Sequence, residues 1–536
     1  MIFGLGLNFK LCASPDGVTK NYNVWKAHDL PNASLKTKLN KKVIRLFLLL
    51  ILAMSWSCQS GKKPEKPNVI ILYVDDLGYG DLSCYGGAIP TPNIDSLARR
   101  GVRFTDAHAP ASTCTPSRYS LLTGRYAFRN KAAILPGDAP LLIDTSIVTL
   151  PKVFKSAGYA TAVVGKWHLG LGYGKTDWNR KIAPGPNEIG FDYSFLIPAT
   201  GDRVPTVFVK NGNVVNLDLN DPIVVDYQNP VSDKSDSFAV RIKADAQHSN
   251  TIINGVGRIG FMKGGSAAHW VDETIPAVLN EQSFMFMQSS TKPFFLFYSF
   301  HDIHVPRLPH PDFAGTTAQG ARGDVIAQVD WVVGELIATL KRQNKLDNTI
   351  IIFTSDNGPV LADGYDDRAE ELTGKHDAGG GLRGGKYSAY EAGTRVPTIL
   401  YWKDQVEAGV SDALLTQVDL VASMASLLNV DVKEAIDSED QLDAWLGKNK
   451  VGRASMLQES FTLAIRVGKL KYIRPFSGST PDWLANKNVE TGLKDYPQLY
   501  DLTHDLQEQV NQAATASEKV SELDKMITQI VNNELK

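Results

Sequence analysis

Cys114-Thr115-Pro116-Ser117-Arg118 sets a thiol, a proline two residues on and a guanidinium four on, with Leu121-Leu122-Thr123-Gly124-Arg125 close behind. Two further pairs, Asp75-Asp76 and Asp356-Asn357, each close an apolar run and are followed by glycine (Gly78 and Gly80; Gly358). If those runs are neighbouring strands, their ends bring three carboxylates and an amide oxygen together. Such a cluster is costly without a hard cation, and an all-oxygen donor set suits Ca²⁺ or Mg²⁺. Gly165-Lys166-Trp167-His168, His304-Val305-Pro306 and Lys386 in the segment 382–395 add cations and imidazoles. Lysines and a metal balance the charge of a tetrahedral oxyanion. A departing alkoxide needs a proton donor within hydrogen-bond reach, and an activated hydroxyl needs a base. Each feature alone has a plainer reading. A lone cysteine is commonly a buried structural thiol, an Asp-Asp pair a cap or turn, a lysine a solvated surface group, and a histidine a satisfied structural one.

The elements that must position these residues are legible as apolar runs. Asn68–Val74 (NVIILYV), 292–300 (KPFFLFYSF) and 348–354 (NTIIIFT) are almost uninterrupted, the mark of strands buried on both faces. Another strand is expected over 160–164, and one ending at Ile197. Between them, 93–100, 150–157 and 324–342 carry apolar residues at helical spacing. Alternating strand and helix predicts an α/β fold, a large mixed sheet sandwiched by helices. Such sheets bind ligands at the carboxyl ends of their strands, where the polar residues stand. From about Arg453 the pattern changes to short alternating segments (462–467, 469–474), then Tyr500-Asp501-Leu502 and a terminal helix over 516–535. This predicts a smaller C-terminal antiparallel sheet plus helix, dividing the chain into a catalytic part, 68–452, and a C-terminal subdomain, 453–536.

The C-T-P-S-R run with its downstream L-T-G-R resembles the C-x-P-x-R signature of type I sulfatases, in the alkaline phosphatase-like superfamily. The resemblance extends from Asn68 to Leu499-Tyr500-Asp501-Leu502, similar to a late L-Y-D-L motif of that family. It implies that Cys114 is oxidised to formylglycine by a maturation enzyme, and that the aldehyde hydrate is the nucleophile. A sulfated gem-diol keeps a second hydroxyl whose deprotonation expels the sulfate, so one hard displacement becomes two easier steps. By the same resemblance Asp75, Asp76, Asp356, Asn357 and the modified Cys114 hold the metal, Ca²⁺ rather than Mg²⁺. Lys166 and Lys386 bind sulfate, His304 or Lys386 protonates the leaving oxygen, and His168 deprotonates the second hydroxyl. Arg118 holds the hydrated aldehyde, and Asp356 helps activate it. Three further candidates lie near the expected pocket. His301 either faces it or ends a strand, His376 sits in a Gly-rich loop ahead of Lys386, and Asp202-Arg203 suits an anion, a hydroxyl pair or a structural ion pair. One departure is Asp505-Leu506-Gln507-Glu508 where the family commonly has D-P-x-E, read as a change in a peripheral turn.

The implied activity is hydrolysis of sulfate esters, on a carbohydrate if the protein meets polymers outside the cytoplasm. Two other readings compete: a phosphodiesterase or phosphonate monoester hydrolase of the same superfamily, and an inactive glycan-binding lipoprotein. The second predicts a broken site, whereas every matched catalytic position is filled.

Composition bounds the rest. At 536 residues, 43% hydrophobic and 21% charged, the chain is too apolar to be disordered, and its net charge of −2 argues against a nucleic-acid partner. That balance hides an asymmetry. Residues 1–57 hold eight basic and two acidic residues, leaving 48 basic against 56 acidic in the remainder, a net of −8. The basic stretch precedes VIRLFLLLILAM (43–54), an apolar run too short for a membrane span of about twenty residues but suited to a secretory signal. Ser55-Trp56-Ser57-Cys58, followed by the linker over 58–67, resembles a bacterial lipoprotein signal with Cys58 as lipid anchor. The leader thus predicts an exported protein, periplasmic or an outer-membrane lipoprotein, with residues 1–35 ahead of the natural start. Of four cysteines, Cys12 and Cys58 belong to the leader, and Cys84 and Cys114 make no disulfide framework.

Overall fold

Strand β1, Asn68–Val74, is buried at all seven positions. Successive side chains of a strand point to opposite faces, so a strand that is apolar after its first residue, Asn68, must be covered on both sides. It is: Val69, Ile71 and Tyr73 join one core, and Ile70, Leu72 and Val74 the other. The computed structural model describes residues 66–231 and 240–533. The leader, Cys58 and most of the linker lie outside the described residues, as does the expected end of the terminal helix past residue 533.

The sheet around β1 has ten strands. The others are β2 (Val102–Phe104), β3 (Ala160–Lys166), β4 (Tyr193–Ile197), β5 (Val209–Lys210), β6 (Asn213–Val214), β7 (Phe294–Ser299), β8 (Thr349–Ser355), β9 (Thr398–Tyr401) and β10 (Gly409–Ser411). Their order is β10-β2-β9-β8-β1-β7-β3-β4-β5-β6. The central run β8-β1-β7-β3-β4 is parallel, and β9 and β5 flank it antiparallel. One face is covered by α1 (Pro92–Arg100), α4 (Ile275–Ser289) and α5 (Gly320–Arg342). The other is covered by α2 (Cys114–Thr123), α3 (Leu150–Ser156) and α6 (Leu420–Leu428). The expected α/β sandwich is present, with β1, β7 and β8 within two residues of the runs read from sequence. No helix among the described residues is long and apolar enough to cross a membrane.

A separate four-stranded antiparallel sheet follows: β11 (Ser455–Glu459), β12 (Leu463–Val467), β13 (Leu470–Ile473) and β14 (Gln498–Asp501). Helix α7 (Ser517–Val531) buries Leu523, Ile527 and Ile530 against its Leu457, Ile465 and Tyr472. A buried ion network fastens this sheet to the larger one. Arg466 bridges Asp106 (3.2 Å) and Glu391 (2.8 Å), while Lys471 pairs with Glu391 and Glu508, both at 3.1 Å. Removing one partner of such a network costs about 3–5 kcal/mol, because a buried charge is left uncompensated. Glu508 corrects the peripheral-turn reading: it is fully buried and accepts the Glu391 N–H at 2.6 Å. The Leu506 substitution therefore lies beside an internal joint.

Candidate active site

The parallel centre of the sheet delivers its strand ends to one edge. Asp75-Asp76 follow β1, Asp356-Asn357 follow β8, Lys166 closes β3 with His168 two residues on, and His301 and His304 lie past β7. Neighbouring strands are about 5 Å apart, so residues distant in sequence converge. Gly165 makes the convergence possible, since its φ is +112° and a Cβ there would lie 1.8 Å from the Ser299 carbonyl oxygen. The non-glycine residues Asp76 (φ 62°), His168 (55°) and Tyr387 (72°) also hold left-handed backbone. At about 1–2 kcal/mol each, such positions persist only where packing imposes them.

The cysteine motif decodes as one helix. Cys114 is the first residue of α2, Pro116 sits in the first turn where its missing N–H is harmless, and Arg118 lies one turn on. Leu121 and Leu122 enter the core, while Gly124 ends the helix at φ 64° with its N–H on the Ser120 carbonyl. An N-terminal position favours negative charge at residue 114. Burial pushes the Cys114 thiol up, so the unmodified side chain stays a protonated, poor nucleophile.

Asp75, Asp76 and Asp356 offer carboxylate oxygens within 4.8 Å of one another, all buried. Burial raises the Asp75 carboxyl well above its ordinary range; Lys166 opposes this, and Asp356 and Asp76 add to it. Two buried oxygens there, Asp75 Oδ1 and Asn357 Oδ1, have no hydrogen-bond partner. Asn357 spends its Nδ2 on Asp76 (2.8 Å) and on the Gly358 carbonyl (2.9 Å), which fixes the orientation of its bare oxygen. Orphaned oxygens in an acidic, all-oxygen set fit a hard divalent cation.

Cations surround this cluster. Arg118 donates Nε (3.1 Å) and Nη2 (2.7 Å) to Asp356 Oδ2 and bonds Ser299 and the Lys166 carbonyl through Nη1. Lys166 pairs with Asp75. Lys386 bridges Asp76 (2.9 Å) and Asp363 (3.1 Å). Burial opposes the Lys386 charge, but Asp363 and Asp76 hold it charged, well above the ordinary range.

The histidines are set by carbonyls. His168 Nε2 lies 2.9 Å from the Leu135 carbonyl, and a carbonyl only accepts, so Nε2 carries the hydrogen. Burial and Lys166 hold this ring neutral, well below the usual imidazole range. The bare Nδ1 then faces Cys114 Sγ at 3.2 Å. His304 is reversed: Nδ1 donates to the Val305 carbonyl at 2.7 Å, leaving Nε2 free, 3.9 Å from Asp76.

Cys114, His304 and Lys386 open onto a cavity of about 480 Å³. Asp202 and Arg203 line it, held as a pair at 2.8 Å. Arg203 spends Nη1 on Thr200 and Asp202, while its Nε and Nη2 have no hydrogen-bond partner among the described residues. His301 is buried against Gly201 with an unpartnered Nδ1, but it does not line the cavity. His376 is not brought to the cavity either. Its Nε2 binds Asp81 at 2.8 Å, and Arg322 of α5 clamps the same carboxylate at 2.7 Å.

A sequence profile described as "Sulfatase" matches residues 67–430. The chain belongs to the sulfatase family. It is 47% identical over 513 residues to a Bacteroides thetaiotaomicron N-acetylgalactosamine-6-O-sulfatase, covering 94% of this chain and 98% of the relative. A solved structure from Bacteroides thetaiotaomicron, from work on the metabolism of multiple glycosaminoglycans, superposes with a TM-score of 0.85 at 49% identity, over 87% of this chain and 99% of that one. Human arylsulfatase A is 30% identical over 482 residues, 83% of each chain. The protein is accordingly a sulfuric ester hydrolase, with the mixed sheet and smaller antiparallel sheet of sulfatase structures.

Sequence reasoning passed over several cavity residues of this sulfatase. Asp363 and Lys487 stand beside Lys386. His248 binds Asp245 through Nδ1 (2.6 Å) and approaches Asp202 through Nε2 (3.4 Å). None sits at the end of an apolar run, so no periodic signal marks them.

Proposed function

We propose that this sulfatase hydrolyses a sugar O-sulfate, with a 6-O-sulfated N-acetylgalactosamine unit as the first substrate to test. What carries this reading is the cavity over Cys114, His304 and Lys386 with the open Arg203 fork on its wall, in a chain 47% identical to a sulfatase of that name. Asp75, Asp76, Asp356 and Asn357 would hold the metal, Ca²⁺ by the family resemblance, and Cys114 is the residue for oxidation to formylglycine. Once in place, the metal would supply charge compensation for the ester and the hydrate of the aldehyde would supply the nucleophile.

The chain's own residues do the rest. Lys166 and Lys386 place ammonium groups against the sulfate oxygens, and Arg118 braces Asp356 behind residue 114. His168 takes a proton at Nδ1 from the side chain of residue 114, because the Leu135 carbonyl keeps Nε2 protonated. Lys386 stands protonated in the cavity as the donor to the leaving sugar oxygen, whereas burial and Lys386 hold His304 neutral with its hydrogen on Nδ1, so its free Nε2 accepts. Arg203, anchored by Asp202, presents two donors to sugar hydroxyls.

The leader over 1–57 and Cys58 support an exported, lipid-anchored protein, matured by a formylglycine-generating enzyme before it meets glycan. The test is sulfate release by matured enzyme from defined sulfated monosaccharides, with aryl phosphate and phosphonate esters alongside. Preferred turnover of a galacto-configured 6-sulfate is expected. Faster turnover of phosphate or phosphonate esters would overturn the reaction class, and preference for another sugar sulfate would overturn the substrate. Mass spectrometry of the Cys114 peptide from the native host checks the modification; unmodified cysteine alone would reject it.

A further inference from the structure

We infer that Lys487, with Asp363, is a positioning residue of the sulfatase reaction, setting where Lys386 stands. The inference rests on the roles given to Lys386 above, sulfate ligand and proton donor to the leaving oxygen. Lys487 closes the short helical segment Asp482–Lys487, beyond the third strand of the C-terminal sheet. Its neighbours Asp482, Ala485 and Asn488 are exposed, yet Lys487 is only 2% exposed. A buried ammonium is costly unless paired, and its partner is Asp363 Oδ1 at 2.8 Å. The other Asp363 oxygen takes Lys386 at 3.1 Å, and Lys386 reaches on to Asp76 at 2.9 Å.

The four side chains form a row of alternating charge, Lys487–Asp363–Lys386–Asp76, running from the C-terminal segment to the β1 end. Asp363 is 4% exposed. Burial opposes its charge, but Lys386 and Lys487 outweigh that and hold it well below the usual carboxylate range. Within the row, Lys487 takes half of the Asp363 charge. Without it Asp363 has a single cation to draw on and pulls Lys386 away from Asp76 and the reacting atoms. No strand end of the large sheet supplies this counter-charge. The C-terminal segment therefore takes part in catalysis as well as in packing.

The experiment compares Lys487→Gln, Lys487→Arg, Asp363→Asn and Lys386→Ala with the wild type, all as matured, calcium-loaded full chains. Substrates are a sulfated monosaccharide and aryl sulfates of increasing leaving-group basicity. Lys487→Gln is expected to lower kcat about 10²-fold, the scale of a roughly 1 Å misplacement of a catalytic group. KM should change less, the loss should steepen with leaving-group basicity, and Lys487→Arg should recover most of it. A purely packing role lowers the melting temperature without changing that slope. Wild-type kcat in Lys487→Gln, or a loss equal across all leaving groups, overturns the inference. Should Lys487→Gln fail to fold, Asp363→Asn is read by the same slope. Full activity in Lys386→Ala would instead overturn the role of Lys386, and this inference with it.

Discussion

Replacing His168 by alanine isolates one proton transfer. The ring makes two contacts that matter, Nε2–H to the Leu135 carbonyl at 2.9 Å and Nδ1 to Cys114 Sγ at 3.2 Å. It is 1% exposed and its bare nitrogen faces residue 114, so its work is on that side chain rather than on substrate binding. Truncation should therefore leave KM close to wild type and act on kcat. A positioned general base contributes about 10²–10⁴-fold, or roughly 3–5 kcal/mol of barrier, and kcat should fall within that range. Folding should suffer less, since the stranded Leu135 carbonyl costs about 1–3 kcal/mol. The assay is steady-state release of sulfate by matured protein, with melting followed in parallel. Two results would refute the reasoning. One is a kcat near wild type, which would mean that Nδ1 takes no proton. The other is a loss confined to KM, which would place His168 on the substrate.

Chelation should abolish activity and lower the melting temperature, since a cation at a hundred times its Kd stabilises the fold by about 2.7 kcal/mol; Ca²⁺ should restore both, and melting indifferent to chelator would remove the metal site. Arg203→Ala should raise KM about 10- to 100-fold, matching about 1.5–3 kcal/mol for lost charged hydrogen bonds; unchanged KM for every sulfated sugar would show that the open fork meets no substrate. Glu459→Gln tests a buried acid of β11. Burial raises Glu459 from 4.5 to about 8, the Ala127 and Phe128 N–H groups opposing, with Asp437 adding. The folded state thus binds this proton more tightly than the unfolded chain. Its stabilisation is complete below about pH 4.5 and is lost as pH rises through about 8. The glutamine variant should gain on wild type progressively from about pH 4.5 to about 8 and keep that advantage above it, and parallel melting curves across pH would refute the assignment.

The sequence was most informative where physics is local. A strand buried on both faces is apolar almost throughout, so β1 is visible in NVIILYV, and the first polar residues after it, Asp75 and Asp76, mark the sheet edge. The Cys114 motif was legible as a family signature, and the structure adds that Cys114 and Arg118 share one helix that Gly124 ends. What could not be read depends on contacts across hundreds of residues. Asp363 gains meaning only from Lys386 and Lys487, and His248 only from Asp202. His376 shows the converse error. Nearness to Lys386 in sequence suggested the pocket, but Asp81 and α5 hold the ring elsewhere.

Charge ties these observations together. Past the leader the chain carries a net of −8, so its overall field does not steer an anionic ester inward. The site's own residues do not attract one either. Asp75, Asp76, Asp356 and Asp363 are matched by Arg118, Lys166, Lys386 and Lys487, each cation paired with at least one of those carboxylates. In that balanced state the lysines are engaged by carboxylates rather than by sulfate. A divalent cation held by Asp75, Asn357 and their neighbours would leave the site net positive and would compete with Lys166 for Asp75. Metal binding and sulfate binding would then be coupled through the same carboxylates. Affinity for a non-hydrolysed sulfated sugar should fall on chelation, and an affinity independent of metal would break that coupling.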